Sequence, residues 1–310
     1  MVFKKVLVLG GTGFIGSNII ENLIKKKNCK ITATYFKKKP FIRYRNLNYK
    51  RVNLTNHRDL KKLDKKYDLI FMCAGKIFNK NNTFSISKLK ENLLINENVI
   101  NSLLKKAKCY VWFNSCSGYP YKNGKIIESD FFKNPSPKNF LPGMQSRKTE
   151  KKLTLISKIF KIKILTIRTP EVYGKFDNFN ENTSRDIPLL INCYLNNLKK
   201  KHKIDIKFRK GYIFGTDLAK YTIRLLSNKM QKYQVYNLCD DKNYNLQRLI
   251  DYLKLEIDSK NSKIQKDNYK DLRNIRDYSN KKVKKALGLH KIGNLEKSIE
   301  KTIIWYKQSI

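Results

Sequence analysis

Three glycines at a spacing of three, Gly10, Gly13 and Gly16, follow directly on the apolar run Val6-Leu7-Val8-Leu9. They precede Asn18-Ile19-Ile20-Glu21-Asn22-Leu23-Ile24, whose apolar residues recur at helical spacing. The pattern predicts a strand, a tight turn and a helix. The chemistry that needs this arrangement is the binding of a dinucleotide pyrophosphate. Gly10 permits the turn, Gly13 lets the backbone approach the phosphates, Gly16 lets the helix lie close on the strand, and the first helical amides meet the negative charge. Phe14 and Ile15, between the last two glycines, belong to the same cofactor-binding turn. The six cysteines form no Cys-x-x-Cys pair and the three histidines are scattered, so neither a metal site nor a disulfide framework is expected.

Further along, apolar strand-like runs at 30–36, 51–54, 67–75, 109–115 and 162–168 alternate with amphipathic helical runs near 86–106 and 145–160. This alternation predicts an α/β fold, a Rossmann-like doubly wound parallel sheet with its ligand at the carboxyl ends of the strands. An acidic residue at the end of the second strand would bond the ribose hydroxyls of NAD. This chain has Thr34-Tyr35-Phe36-Lys37-Lys38-Lys39 there, which places Tyr35 at the cofactor and leaves NADP open beside NAD.

The formal charge of +42 raises the question of nucleic acid, whose phosphates Lys and Arg neutralise. The lysines, however, are spread along the whole chain beside abundant Asn and Ile, all encoded by A/T-rich codons, and no nucleic-acid-binding motif is present. A solvated lysine surface is expected, with no nucleic-acid partner, and its field favours an anionic substrate. No apolar run approaches the roughly 20 residues of a membrane helix, and the first residues lead straight into a strand. A cytoplasmic protein without a membrane partner is therefore expected.

Several other segments occur in a characteristic order: Asn53-Leu54, Cys73-Ala74-Gly75, Asn92-Leu93-Leu94-Ile95-Asn96-Glu97-Asn98, Asn114-Ser115-Cys116-Ser117-Gly118-Tyr119-Pro120, Tyr173-Gly174-Lys175-Phe176-Asp177-Asn178-Phe179, Thr183-Ser184-Arg185-Asp186-Ile187-Pro188, and the ending Leu287-Gly288-Leu289 with Thr302-Ile303-Ile304-Trp305-Tyr306. Together with the glycine turn they resemble extended short-chain dehydrogenases of the NAD-dependent epimerase/dehydratase family over nearly the whole chain. They look most like the GDP-fucose synthase branch. The resemblance implies that Asn53, Leu54, Ala74 and Gly75 line the cofactor and that the substrate is a GDP-sugar. It also implies a Rossmann domain over 1–168, with 212–235 returning to it, and a smaller C-terminal substrate-binding lobe over 169–211 and 236–310. A homodimer or homotetramer through a four-helix contact, formed by the helices near 86–106 and 145–160, is implied as well.

The same resemblance exposes a departure. Relatives carry a Tyr-x-x-x-Lys helix and a Ser at the reacting carbon; Ser115 matches the serine, Lys148 the lysine, and Met144 stands at the tyrosine position. A thioether has no proton to give, whereas a tyrosine beside an ammonium does. Candidate proton carriers are Tyr119, Tyr121, Glu171 and Lys148, the last also a cofactor ligand by resemblance. Ser117 and Arg185 stand where GDP-fucose synthase has a Cys and a His, which disfavours epimerisation. Cys116-Ser117 stand where dehydratases have Asp-Glu, which disfavours elimination. Ser115, Ser117, Glu171, Asn178 and Arg185 are the expected sugar ligands, and Arg209 or Lys210 the expected diphosphate ligands. These residues point to oxidation at C4 of a GDP-sugar, with GDP-manno-heptose 4-dehydrogenases of bacterial capsule pathways as the nearest resemblance. A 4-keto sugar nucleotide reductase and a catalytically silent cofactor-binding protein remain as alternatives.

Overall fold

In the first strand, β1 (Lys5–Leu9), Val6 and Val8 pack into the core on one side of a sheet, Leu7 and Leu9 into the core on the other, and all four are buried. A strand with four consecutive apolar residues, and not one at every second position, is covered on both faces, which places it inside a parallel sheet. The computed structural model describes residues 3–26, 28–63, 65–76, 85–120, 122, 124–133, 141–160, 162–179, 185–195, 203–205, 209–228, 230–241, 244–245, 250–254, 265–267 and 276–309.

Six strands join β1: β2 (Lys30–Tyr35), β3 (Leu47–Arg51), β4 (Tyr67–Met72), β5 (Ala107–Ser115), β6 (Lys163–Thr169) and β7 (Tyr233–Asn237). Their order is β7-β6-β5-β4-β1-β2-β3 and every pairing is parallel. This is the doubly wound α/β sheet expected from the alternation of elements. The strand order reverses between β1 and β4, so a crevice opens at their carboxyl ends, where such sheets bind ligands.

The helices are α1 (Phe14–Leu23), α2 (Ile86–Leu103), α3 (Leu141–Ile159), α4 (Asp186–Leu195), α5 (Gly215–Leu225), α6 (Lys281–Leu287) and α7 (Leu295–Ser309), besides one-turn pieces. α1, α5 and α6 cover the Val6 side of the sheet with Ile19, Ile20, Leu218, Ile223 and Val283. α2 and α3 cover the Leu7 side with Ile95, Val99, Leu153 and Ile156. A third cluster joins α4 and α7 through Ile187, Leu190, Ile299 and Ile303. Among the described residues no helix is long and apolar enough to cross a membrane.

Several element bounds differ from the sequence expectation by a few residues, two of them with a visible cause. β3 ends at Arg51, before the expected 51–54 run, because Asn53 turns the chain: its Oδ1 accepts from Thr55 N at 3.1 Å and Thr55 Oγ1 at 2.8 Å. α3 starts at Leu141, not near 145, with Pro142 in its first turn, where a missing amide costs nothing.

Phe71, fully buried between β1 and β5, tests the core. Phe71→Ala is expected to lower unfolding free energy by about 3–5 kcal/mol, read from urea denaturation followed by circular dichroism; a loss under about 1 kcal/mol would contradict this packing.

Candidate active site

The turn between β1 and α1 leaves no room for side chains. Gly10 has φ +78°, and a Cβ there would lie 2.8 Å from the Ala74 Cα; a Cβ on Gly16 would lie 2.2 Å from the Gly10 carbonyl oxygen. The end of β2 fixes the turn, since Gly10 N donates to Thr34 Oγ1 at 2.9 Å and Gly11 N to the Thr34 carbonyl at 2.8 Å. α1 then begins after Gly13, and no side chain caps its first amides. A cradle that Cβ atoms would fill, beside uncapped helix amides at the carboxyl edge of the sheet, fits the pyrophosphate of a dinucleotide.

The other expected cofactor residues surround this turn. Phe14 and Ile15 are half-buried against the first core, and Tyr35 ends β2 with its ring edge-on to Tyr49 at 6.3 Å. Ala74 abuts Gly10, and the exposed Gly75 is followed by Lys76, whose N donates to Asn92 Oδ1 at 2.6 Å. Asn53 is half-buried in its turn, and Leu54 belongs to the core on the α2 side.

At the carboxyl end of β5, Ser115 Oγ accepts from Ser117 N at 3.1 Å, closing a tight turn, and the Ser117 hydroxyl is buried without a hydrogen-bond partner. This turn is tied to α3 by Asn114, which sequence reading passed over. Its Nδ2 donates to the Ser146 carbonyl at 3.1 Å and to Glu150 Oε2 at 2.8 Å, while its Oδ1 accepts from Ser115 N at 3.0 Å. Glu150 is 1% exposed and pairs with Arg168 of β6, itself 2% exposed. The Arg168 guanidinium also donates to Tyr119 Oη and the Glu128 carbonyl, both at 2.7 Å, and lies 3.8 Å from the centre of the Phe131 ring. Burial works against the Arg168 charge, but Glu150 outweighs it and holds the guanidinium protonated above its ordinary range.

This network settles where the sequence candidates stand. Tyr119 is fully buried, donates to Asn237 Oδ1, and is pushed far above the ordinary tyrosine range by burial, so its proton is unavailable at neutral pH. Burial likewise pushes the thiols of Cys73, Cys116 and Cys239 up, which leaves them protonated. Tyr121 lies outside the described residues.

α3 turns Ser146 and Glu150 toward Asn114, and Gln145 and Thr149 toward Asn92 and Asn96 of α2 at 3.0 and 2.9 Å. At 3.6 residues per turn, Lys148 lies roughly 160° around the helix from Glu150, as Met144 does from Ser146. Met144 is 45% exposed, Lys148 is exposed, and the Lys148 charge acts on Glu97 of α2. Both stand exposed on the helix that packs on the Cys116–Gly118 turn beside Ser115, and among the described residues no hydrogen bond or ion pair joins either to Ser115.

Glu171 follows β6 directly, two residues beyond Thr169, the strand partner of Ser115, and its charge acts on Arg185. Arg185 pairs with Asp177 Oδ1, and its guanidinium stands 5.0 Å from the centre of the Phe14 ring. Asn178 is exposed. Arg209 and Lys210 form a two-residue strand paired antiparallel with Tyr244 and Asn245. Among the described residues no three His, Cys, Asp or Glu side chains gather as a metal site would require.

The family model for the NAD dependent epimerase/dehydratase family matches residues 6–239. No curated protein sequence matches the chain. Solved structures do: a UDP-N-acetylglucosamine 4-epimerase from Methanobrevibacter ruminantium M1 in complex with UDP-N-acetylmuramic acid is similar at 20% identity, TM-score 0.86, covering 100% of both chains. A GDP-6-OMe-4-keto-L-xylo-heptose reductase from C. jejuni is similar at 19% identity, TM-score 0.82, covering 99% of this chain and 98% of that one. The UDP-glucose 4-epimerase of Thermus thermophilus in complex with NAD is similar at 17% identity, TM-score 0.82, covering 99% of this chain and 100% of that one. At these identities the likeness is one of fold.

The buried pair is separable by mutation. Arg168→Met alone strands the Glu150 carboxylate and is expected to cost about 3–5 kcal/mol in chemical denaturation, while Arg168→Met with Glu150→Met recovers most of that loss. Equal losses in the single and double variants would show that packing, not the ion pair, holds this junction.

Proposed function

Because the chain belongs to the NAD dependent epimerase/dehydratase family, with NAD as its cofactor, we propose that it oxidises C4 of a GDP-sugar, GDP-manno-heptose or one like it, in the making of a bacterial surface polysaccharide. The observation that carries this reading is the common edge shared by the glycine cradle and Ser115. Both lie at carboxyl ends of β1 and β5, with only β4 between them, so one bound molecule can meet a second there.

When bound, NAD supplies the hydride acceptor. The side chains must then hold the sugar and remove one proton. Ser115 and Ser117 hold the reacting hydroxyl. Glu171 takes its proton: Tyr119 is locked, the Met144 thioether is no base, and the Lys148 ammonium has no free pair to accept one, whereas a carboxylate at hydrogen-bond reach does this work in many sites. Asn178 contacts the sugar, and Arg209 or Lys210 neutralises the diphosphate. The substrate is held by a smaller lobe of 169–211 and 236–310 set against 1–168, to which 212–235 returns. Two or four copies associate through α2 and α3, on which Ile86, Leu94, Leu155 and Ile159 are exposed.

A second reading, a cofactor-binding protein without turnover, is favoured by one observation: Met144, whose thioether has no proton to exchange, stands on α3 at the tyrosine's position. Purified chain mixed with GDP-manno-heptose, GDP-mannose or UDP-sugars separates the two. The first reading expects reduced-nicotinamide absorbance to rise with one GDP-sugar, and Glu171→Gln to slow that rise by about 100-fold or more. A flat trace with every sugar from a chain that binds NAD would favour the second, and a Glu171→Gln chain as fast as wild type would remove Glu171 from the chemistry.

A further inference from the structure

Arg185 stands against the residue that follows the glycine turn. The ring on which its guanidinium sits belongs to Phe14, the residue after Gly13 and the first of α1. Its partner Asp177 has a side chain only 4% exposed, whereas that of Arg185 is 28% exposed and so is not sealed in. Asp177 Oδ2 is buried without a hydrogen bond, and a second cation, Lys38, acts on this carboxylate. Lys38 arrives from elsewhere, just beyond the end of β2, the strand whose Thr34 holds Gly10 and Gly11. Two cations from separate segments thus act on one buried carboxylate, and one of them, Arg185, rests on the first residue of α1. The charge of Glu171 also acts on Arg185.

The two segments are also fastened by rings. Phe41 lies 5.4 Å from Phe176, Phe176 lies 5.6 Å from Trp305 of α7, and Lys38 Nζ stands 4.7 Å over the Phe41 ring. Phe176 adopts φ +68°, a left-handed conformation costly for an aromatic residue, and its ring is held on both sides. That conformation comes immediately before Asp177, so the strained turn is what delivers the carboxylate to Arg185.

We propose that Arg185 and Lys38 clamp the pyrophosphate of the bound dinucleotide, with Asp177 as the positioning residue that orients Arg185. Arg185 is then a cofactor ligand and not the sugar ligand its place in the sequence implies. This rests on the reading that the glycine turn holds NAD. Helix amides alone offer about half a positive charge to an anion, and a planar fork with five donors adds what they lack.

The test is a fluorescence titration of the full chain with NADH in the absence of any sugar nucleotide. Arg185→Met is expected to raise the NADH dissociation constant about tenfold or more, and Lys38→Met, on an exposed coil, about threefold. Should Arg185→Met fail to fold, Arg185→Lys keeps the charge but not the fork and is expected to weaken NADH about threefold. Unchanged NADH affinity in a folded Arg185 variant, with the loss confined to GDP-sugar affinity, would overturn the proposal and return Arg185 to the sugar. A wild-type chain that binds no NADH would overturn it together with the cofactor reading beneath it.

Discussion

A guanidinium buried in a protein must find an acceptor for nearly every donor it carries, or it costs several kcal/mol. Arg168 meets that demand with Glu150 of α3, Tyr119 of the turn after β5, and the carbonyl of Glu128, while Tyr119 in turn reaches Asn237 at the end of β7. Each partner comes from a different element, so the requirement of one charge fixes how α3, β5, β6 and β7 meet. Asn114 extends the same arrangement to Ser115. The candidate site is therefore set by polar satisfaction under it, and the apolar clusters on the two faces of the sheet only bring the elements within range.

The sheet was legible because its signal is local. Continuous apolar runs such as 6–9 and 69–72 and the tight Gly10-x-x-Gly13-x-x-Gly16 turn each carry their own physical reason within a few residues, and the structure follows them. β3 was misplaced by a few residues because the turn that ends it depends on the Asn53 side chain, whose competition with the ladder is not visible as periodicity. Thr34 escaped notice for a related reason: a hydroxyl at a strand end is commonplace until the backbone of another turn is found bonding to it.

The site was less legible because facing is a tertiary property. A spacing of four places Met144 and Lys148 on one side of a helix but does not say which side meets the sheet. Asn114, Asn92 and Asn96 decide that, and all three lie far from α3 in sequence. The same limit applies to Arg185, whose sequence neighbours suggest a sugar and whose ring contact is with Phe14, about 170 residues earlier. Charge composition was uninformative in the same way, since a lysine excess spread over the chain conceals single lysines such as Lys38, whose charge acts on the buried Asp177 carboxylate.

α3 is held on two adjacent sides at once, by α2 through Gln145 and Thr149 and by β5 through the Ser146 carbonyl and Glu150. A rod gripped in this way cannot roll about its own axis, and its outward positions stay outward whatever residue occupies them. The helix therefore keeps its seat whatever stands at the exposed position 144, so an exchange of residue there changes what α3 presents to its surroundings and leaves undisturbed how it is held.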